Sequence, residues 1–120
     1  MNGKKVPVYG DGMQEREWTS VKDTARAVAF LLKDPQIHLG QTYNLSSGFS
    51  IPNLEVVERI ARIISPQVEL QDLIEKVKDR PGHDRKYWIS SDKILDCGFK
   101  FQDSFDDILK ETCASCKVSF

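Results

Sequence analysis

The sequence predicts an α/β protein, and two observations lead to that class. Short segments rich in β-branched and aromatic residues alternate along the chain with longer segments whose apolar residues recur every three or four positions. Of the 120 residues, 40% are hydrophobic and 29% are charged, which is ordinary for a soluble globular protein. The length allows one domain, or a fragment of one, over residues 1–120.

The first part of the chain predicts a strand, an extended segment and a helix. Residues 4–9 alternate in polarity and indicate a strand, after which two glycines supply a turn. Residues 14–20 are expected to be extended, with Trp18 pointing inward. Ser20 is followed three residues later by an acid, which is the capping-box pattern, and it predicts a helix over 21–33.

The middle of the chain predicts a strand, a helix and a second strand. Residues 40–45 lead out of a loop and are expected to form a short buried strand. A helix is expected to begin at Asn53, because apolar residues then recur at helical spacing, and to end before Pro66. Residues 70–74 predict a further helical turn, and residues 75–78 predict a strand.

Two more helices are predicted towards the carboxyl end. Ser91 is expected to cap a short helix over 93–96, which Gly98 ends. Asp103 is expected to cap an amphipathic helix over 104–117.

Charge and targeting signals narrow the classes of partner and compartment. The net charge is −1, with 17 basic and 18 acidic residues evenly mixed, which excludes a basic field for nucleic acid or anionic membranes. Any phosphate must therefore be bound by a few placed side chains. No apolar run approaches the roughly 20 residues of a membrane helix, and no apolar segment follows the basic residues near Met1, so a cytoplasmic location is expected.

The cysteines predict neither a disulfide framework nor a metal site. Cys97, Cys113 and Cys116 are an odd number of thiols, which cannot pair completely. The Cys-x-x-Cys pair lies in the last predicted helix, and the only histidines, His38 and His83, are distant in sequence, so no four-ligand zinc set is expected.

The most polar stretch of the chain runs from Asp79 to Tyr87. Arg80 and His83 flank a Pro-Gly turn and could present a forked guanidinium and an imidazole to a diphosphate. The same stretch also fits a solvated surface turn with internal salt bridges. The residues alone leave both interpretations open.

A second candidate site runs from Tyr9 to Trp18. An aromatic residue at a strand end, two turn glycines and Arg16 before Trp18 could hold a base or a sugar against an aromatic face. A tight hairpin with core aromatics is the alternative. The two glycines lack a third at the spacing of a dinucleotide-binding loop.

Together and in this order, the motifs resemble the nucleotide-sugar 4,6-dehydratases of the extended short-chain dehydrogenase/reductase family, above all the dTDP-glucose 4,6-dehydratases. The runs that carry the resemblance are Val6–Gly12, Arg16–Trp18, Thr42–Leu45, Asn53-Leu54 and Asp79–Arg85. The last run is similar to the 4,6-dehydratases in particular, whereas the others also resemble epimerases and decarboxylases. The resemblance implies the carboxy-terminal, substrate-binding lobe of such an enzyme, without its amino-terminal Rossmann core.

The resemblance also implies a sugar-nucleotide site. An aromatic and a proline would line the base and ribose pocket, two arginines would converge on the diphosphate in a cleft beside the aromatic, and an amide and an imidazole would add polar contacts. The residues to which these roles transfer are Pro7, Tyr9, Arg16, Asn53, Arg80 and His83.

The sequence departs from the family's pattern in the residues that bind the cofactor and in those that catalyse the reaction. The family binds NAD on its Rossmann domain and uses a Tyr-x-x-x-Lys pair, but here the residues four positions after Tyr9, Tyr43 and Tyr87 are methionine, serine and serine. No catalytic, cofactor-binding or metal-binding residue is therefore predicted. We expect the chain to be inactive alone and to be a truncated gene product, one half of a split gene, or an excised part of a longer enzyme.

The resemblance finally implies partners. Residues 16–51 and 104–117 are similar to segments that pack on the Rossmann domain, so apolar faces around Val28, Leu31 and Leu45 would lack their usual partner. We expect self-association or pairing with a separate Rossmann half. The alternatives are a stand-alone nucleotide-sugar-binding module, half of a nucleotide-sugar decarboxylase or epimerase, and a decayed gene product without function.

Overall fold

Two small sheets organise the chain in the computed structural model, which describes residues 4–118. Strand β1 (Val6–Tyr9) pairs in parallel with β4 (Ile74–Val77), so that Val6 lies opposite Ile74 and Tyr9 opposite Val77. Strand β2 (Glu15–Glu17) pairs antiparallel with β3 (Ser50–Pro52). Because parallel strands end at the same edge of a sheet, the loops after β1 and β4 leave side by side.

Six helices alternate with these strands in the described residues. They are α1 (Val21–Leu31), α2 (Pro35–His38), α3 (Asn53–Ile64), α4 (Leu70–Leu73), α5 (Asp92–Asp96) and α6 (Phe105–Val118). The α/β prediction is confirmed, and each predicted helix is present within a few residues of its expected bounds. No helix in residues 4–118 combines the length and the apolar character needed to cross a membrane.

The predicted strand over 40–45 is wrong. This segment has no strand pairing and lies irregularly between a turn after α2 and the loop before β3. Its side chains are nevertheless used in packing, since Tyr43 and Leu45 lie against a cluster of Ala27, Ile94 and Phe99. Burial of alternate apolar residues produced the strand-like pattern, but no neighbouring strand offers hydrogen bonds to this backbone.

Two smaller predictions are also wrong. The Trp18 side chain is exposed and does not point into a core. Its indole nitrogen lies 3.4 Å from the Ile51 carbonyl oxygen. The cap of α6 is Ser104 and not Asp103, because the Ser104 hydroxyl accepts a hydrogen bond from the Asp107 amide at 3.2 Å. The Asp103 carboxylate instead pairs with Arg26 of α1 at 2.6 Å.

Six of the buried apolar residues form two separate clusters. One joins α1, α5 and the segment after α5 through Ala27, Ile94 and Phe99. The other joins α3 to α6 through Val56, Phe105 and Leu109.

The chain is more extended than a compact monomer of its size. Its radius of gyration is 17.4 Å, whereas a compact domain of this length has about 14 Å. Its accessible surface is 8620 Å², against about 6,600 Å² for a compact monomer of this mass. Roughly 2,000 Å² of surface that folded monomers of this mass bury is therefore exposed here.

Candidate functional site

The turn after β1 brings the candidate site together. Gly10 and Gly12 both have positive φ, 58° and 75°, which an L side chain rarely adopts. A Cβ atom on Gly10 would lie 3.0 Å from the Asp79 carboxylate, and one on Gly12 would lie 2.8 Å from Leu54 and Val8. Two glycines thus let the turn approach the loop after β4 and the start of α3.

The guanidinium groups of Arg16 and Arg80 converge. Nη2 of Arg16, on β2, lies 3.0 Å from Nε2 of His83, and Nη2 of Arg80 lies 2.9 Å from the same nitrogen. The His83 side chain is only 8% exposed, so the imidazole fills the space between the two cations. The expected convergence is found, but the expected cleft between the guanidinium groups is occupied by this ring.

The partners of the two ring nitrogens indicate which nitrogen of His83 carries the proton. A guanidinium can only donate hydrogen bonds, so Nε2 must accept both of them and the ring proton must be on Nδ1. Nδ1 lies 2.6 Å from the Asp79 carboxylate, which accepts that proton's hydrogen bond. This hydrogen bond, together with those from the Arg80 amide and the Gln14 side chain, lowers the pKa of Asp79 below its ordinary value.

Aromatic rings stand beside both cations. The Arg80 guanidinium carbon lies 5.6 Å from the centre of the Tyr9 ring, and that of Arg16 lies 4.3 Å from the centre of the Tyr87 ring. Tyr9 also meets the His83 ring edge-on at 6.5 Å between centroids. The Tyr87 hydroxyl donates to Asp84 at 2.7 Å, and this bond raises the pKa of Tyr87.

Ion pairs hold the carboxyl-terminal half of the 79–87 loop. Arg85 forms two hydrogen bonds to the Asp11 carboxylate, at 2.8 and 2.9 Å, and Lys86 pairs with Glu15 at 2.7 Å. The Arg85 guanidinium lowers the pKa of Asp11 to about 2. Both pairs are exposed to solvent, so each contributes little stability. The salt-bridged surface turn is therefore a correct description of this half of the loop, while Arg80 and His83 face the site.

Pro7 and Asn53 lie outside the cluster around His83. Both line a groove of about 780 Å³ that also contains Trp18 and the facing sides of α3 and α6. The Asn53 backbone amide donates to the Gln14 carbonyl at 3.0 Å, so that donor of the α3 amino terminus is already used. The structure thus gathers four of the six predicted residues, Tyr9, Arg16, Arg80 and His83, and places the other two in a separate groove.

Two residues of the cluster carried no predicted role. Gln14 is 1% exposed, and its Nε2 donates to the Tyr9 carbonyl at 3.1 Å and to Asp79 at 2.8 Å. Asp79 begins the polar stretch, and the sequence assigns it no role of its own. Periodicity could not single out Gln14, since a lone glutamine before a charged strand is indistinguishable from a surface residue.

The described residues contain no glycine-rich strand–turn–helix unit of the Rossmann kind. A Rossmann cradle needs a strand that runs through a glycine-rich turn into a helix amino terminus. Here β1 and its two glycines lead to β2, and the junction of β3 with α3 contains no glycine. Residues 4–118 therefore supply no cradle of that kind for NAD.

Comparison with known proteins identifies the family. The family model for GDP-mannose 4,6 dehydratase matches residues 1–112. The low-salt glycan biosynthesis protein Agl12 of Haloferax volcanii is 40% identical over 112 residues, which are 93% of this chain and 34% of that protein. The dTDP-glucose 4,6-dehydratase of Neisseria meningitidis is 37% identical over 121 residues, with the same two coverages of 93% and 34%.

A solved structure agrees with these sequence matches. The dTDP-glucose 4,6-dehydratase of Bacillus anthracis, in complex with NAD, superposes with a TM-score of 0.78 at 32% identity. The superposition covers 97% of this chain and 35% of that one. The chain thus spans about a third of the length of the relatives it matches. It belongs to the GDP-mannose 4,6 dehydratase family, and over the part it spans it is similar to the dTDP-glucose 4,6-dehydratases.

Proposed function

We propose that this chain is the sugar-nucleotide-binding part of an NAD-dependent dTDP-glucose 4,6-dehydratase. The observation that carries the proposal is the convergence of Arg16 and Arg80 on one imidazole nitrogen beside Tyr9. The relatives named for dTDP-glucose support the same class of ligand. The dehydration itself would belong to the longer enzyme, which supplies NAD and the reacting groups.

The cluster has the chemistry that a nucleoside diphosphate requires. Each guanidinium directs an N–H group at a single acceptor, and a pyrophosphate oxygen is a stronger, charged acceptor than an imidazole nitrogen. The Tyr9 ring is 43% exposed, so its face remains available for a base or a ribose. Since the net charge is −1, this pair of cations and not a general positive field would select the ligand.

Isothermal titration calorimetry with dTDP-glucose, dTDP and UDP-glucose tests the proposal. The chain is expected to bind at least one of them with millimolar affinity or better. Arg80→Ala is expected to abolish that binding, and Arg16→Ala to weaken it by about 1–3 kcal/mol, because each removes charged hydrogen bonds. Arg62→Ala is the control, since Arg62 lies on α3, outside the cluster around His83, and pairs with Glu58.

The outcomes separate the candidate functions. No binding of any of the three ligands contradicts the proposal. Binding that Arg62→Ala weakens as much as Arg80→Ala does would also contradict it, because the effect would then be one of general charge. The base and sugar that bind best would assign the specificity of the site.

We also propose that another polypeptide covers the α1 apolar surface. This surface consists of exposed apolar side chains on α1 and the segment after it: Val21, Val28, Leu32, Ile37 and Leu39. The sequence-based expectation placed the uncovered face at Val28, Leu31 and Leu45, but Leu31 and Leu45 pack on the Ala27 cluster. The remainder of a dehydratase, or a second copy of the chain, would bury the surface.

A further inference from the structure

An imidazole nitrogen that accepts two hydrogen bonds lies at the centre of the site. Nε2 of His83 accepts from Arg16 and Arg80 at 3.0 and 2.9 Å, and neither guanidinium can supply an acceptor in return. A proton on Nε2 would direct an N–H group at two cations. The arrangement of donors around the ring therefore fits a proton on Nδ1 and none on Nε2.

A partly buried chain of hydrogen bonds holds the His83 ring on its Nδ1 side. Asp79 accepts from Nδ1 of His83 at 2.6 Å through Oδ1, and its Oδ2 accepts from Gln14 at 2.8 Å. Gln14 is anchored in turn to the Tyr9 carbonyl of β1. The carboxylate thus has a fixed position from which it would stabilise a charged imidazole.

We propose that a diphosphate bound by Arg16 and Arg80 causes His83 to take up a proton, and that Asp79, held by Gln14, is the positioning residue for this uptake. The inference rests on the proposed function. Phosphate oxygens would take over the N–H groups that now point at Nε2, because they are charged acceptors. Nε2 would then face an anion, and the protonated ring would donate to the phosphate on one side and to Asp79 on the other.

Charged and titratable groups face the ring from three parts of the fold. They are Tyr9 of β1, Arg16 of β2, and Asp79 and Arg80 of the ring's own loop. Asp84 and Tyr87 contact Arg16, and no contact of theirs with the imidazole is seen in the structure. Ligand binding neutralises the two cations that oppose protonation and leaves the carboxylate that favours it.

The coupling has a definite sign. When binding takes up a proton, protons and ligand strengthen each other's binding reciprocally. Affinity is therefore expected to rise as pH falls, by at most about tenfold per pH unit for a single proton, since a factor of ten is one unit of pH. A merely structural Asp79 would change affinity equally at every pH.

Calorimetry in two buffers of different ionisation enthalpy measures the proton directly. The ligand is UDP-glucose or dTDP-glucose, because their diphosphate diester lacks the ionisation near pH 6 that a terminal phosphate has (about 6). The wild-type chain is expected to show buffer-dependent heat, and His83→Gln to bind with heat that is the same in both buffers. Asp79→Asn is expected to reduce the proton uptake, whereas the control Asp11→Asn, an exposed carboxylate paired with Arg85, is expected to leave it unchanged.

Nitrogen-15 spectra of the imidazole rings test the same point without a substitution. The chain has only two histidines, so His83 can be distinguished from His38. The free chain is expected to show His83 protonated on Nδ1 alone, and the saturated complex to show it protonated on both nitrogens. Binding with buffer-independent heat, or with a ring that stays neutral, overturns the coupling and leaves the proposed function standing. No binding of either ligand overturns both.

Discussion

The position of the proton on His83 decides which side chains can surround it. With the proton on Nδ1, the Nδ1 edge of the ring can donate to a carboxylate, and the Nε2 edge can accept from guanidinium groups. Two cations that would repel each other in isolation therefore share one acceptor. The same arrangement keeps the Arg80 guanidinium beside the Tyr9 ring and the Arg16 guanidinium beside the Tyr87 ring, where an incoming anion could engage them.

Gly12 is the residue whose substitution should damage the site most directly. Its φ is 75°, and a Cβ atom would lie 2.8 Å from both Val8 and Leu54. Gly12→Ala is expected to lower the free energy of unfolding by about 2–4 kcal/mol, from backbone strain and overpacking together. Urea denaturation measures the change.

Gly48→Ala is the matched control for Gly12→Ala. Gly48 has a φ of 79°, but nothing lies within 4 Å of the added Cβ position. Only the backbone strain, about 1–2 kcal/mol, is expected there. Equal losses for the two variants would show that Val8 and Leu54 can move aside.

At the scale of elements, parallel pairing of β1 with β4 creates the site. The register sets Tyr9 opposite Val77, so the glycine turn and the Asp79 loop start at the same edge. The antiparallel pair of β2 and β3 then carries Arg16 towards that edge, while a backbone bond from Glu15 to the Arg85 carbonyl ties the loop to β2. Residues about 65 positions apart in sequence thereby become neighbours.

The start of α6 allows a test of element stability. The Ser104 hydroxyl caps the helix by accepting from the Asp107 amide. Ser104→Ala is expected to lower the free energy of unfolding by about 1 kcal/mol. Ser104→Asn is expected to retain most of the stability, since asparagine is an equivalent cap and adds no negative charge beside the Asp107 carboxylate, which the Ser104 hydroxyl contacts at 2.6 Å. Circular dichroism during urea denaturation gives both values.

Asp103→Asn separates the contacts of the Asp103 carboxylate from helix capping. Asparagine caps as well as aspartate, so any stability that this variant loses comes from the carboxylate's contacts with Arg26 and Ser20 and not from a lost cap. An unchanged stability of Ser104→Ala would contradict the assignment of Ser104 as the cap.

At the scale of the whole molecule, exposed area exceeds what a compact monomer leaves in water. The chain exposes 8620 Å², and its two buried clusters are small and separate. A standard protein–protein interface takes about 800 Å² from each partner, so the surplus of roughly 2,000 Å² is large enough for one or two such contacts. Val28 of α1 and Leu32, which directly follows α1, lie seven and eleven residues after Val21 and so share one face with it.

Sedimentation velocity tests whether the α1 apolar surface is covered. At micromolar concentration and above, the chain alone is expected to self-associate through it, because exposed apolar patches of this kind drive association. Val28→Ser combined with Leu32→Ser is expected to shift the chain towards monomer, since these side chains are 54% and 68% exposed. Val68→Ser, an apolar residue between α3 and α4 at 38% exposure, serves as the control. A monomeric wild-type chain would contradict self-association.

The sequence by itself determined the α/β class, every helix but α2, and the residue types of the site. Helix periodicity, caps and the Pro-Gly and Gly-Asp-Gly turns are local signals, so Ser20, Gly12 and the 79–87 loop could be interpreted without a structure. Only the tertiary structure decided that 40–45 is not a strand, that Trp18 is exposed and that Pro7 and Asn53 lie apart from Arg16 and Arg80. Those facts depend on pairing and packing between distant segments. The proton on His83 depends on them too, because Gln14, Arg16 and Asp79 meet its loop only when β1, β2 and β4 are in place.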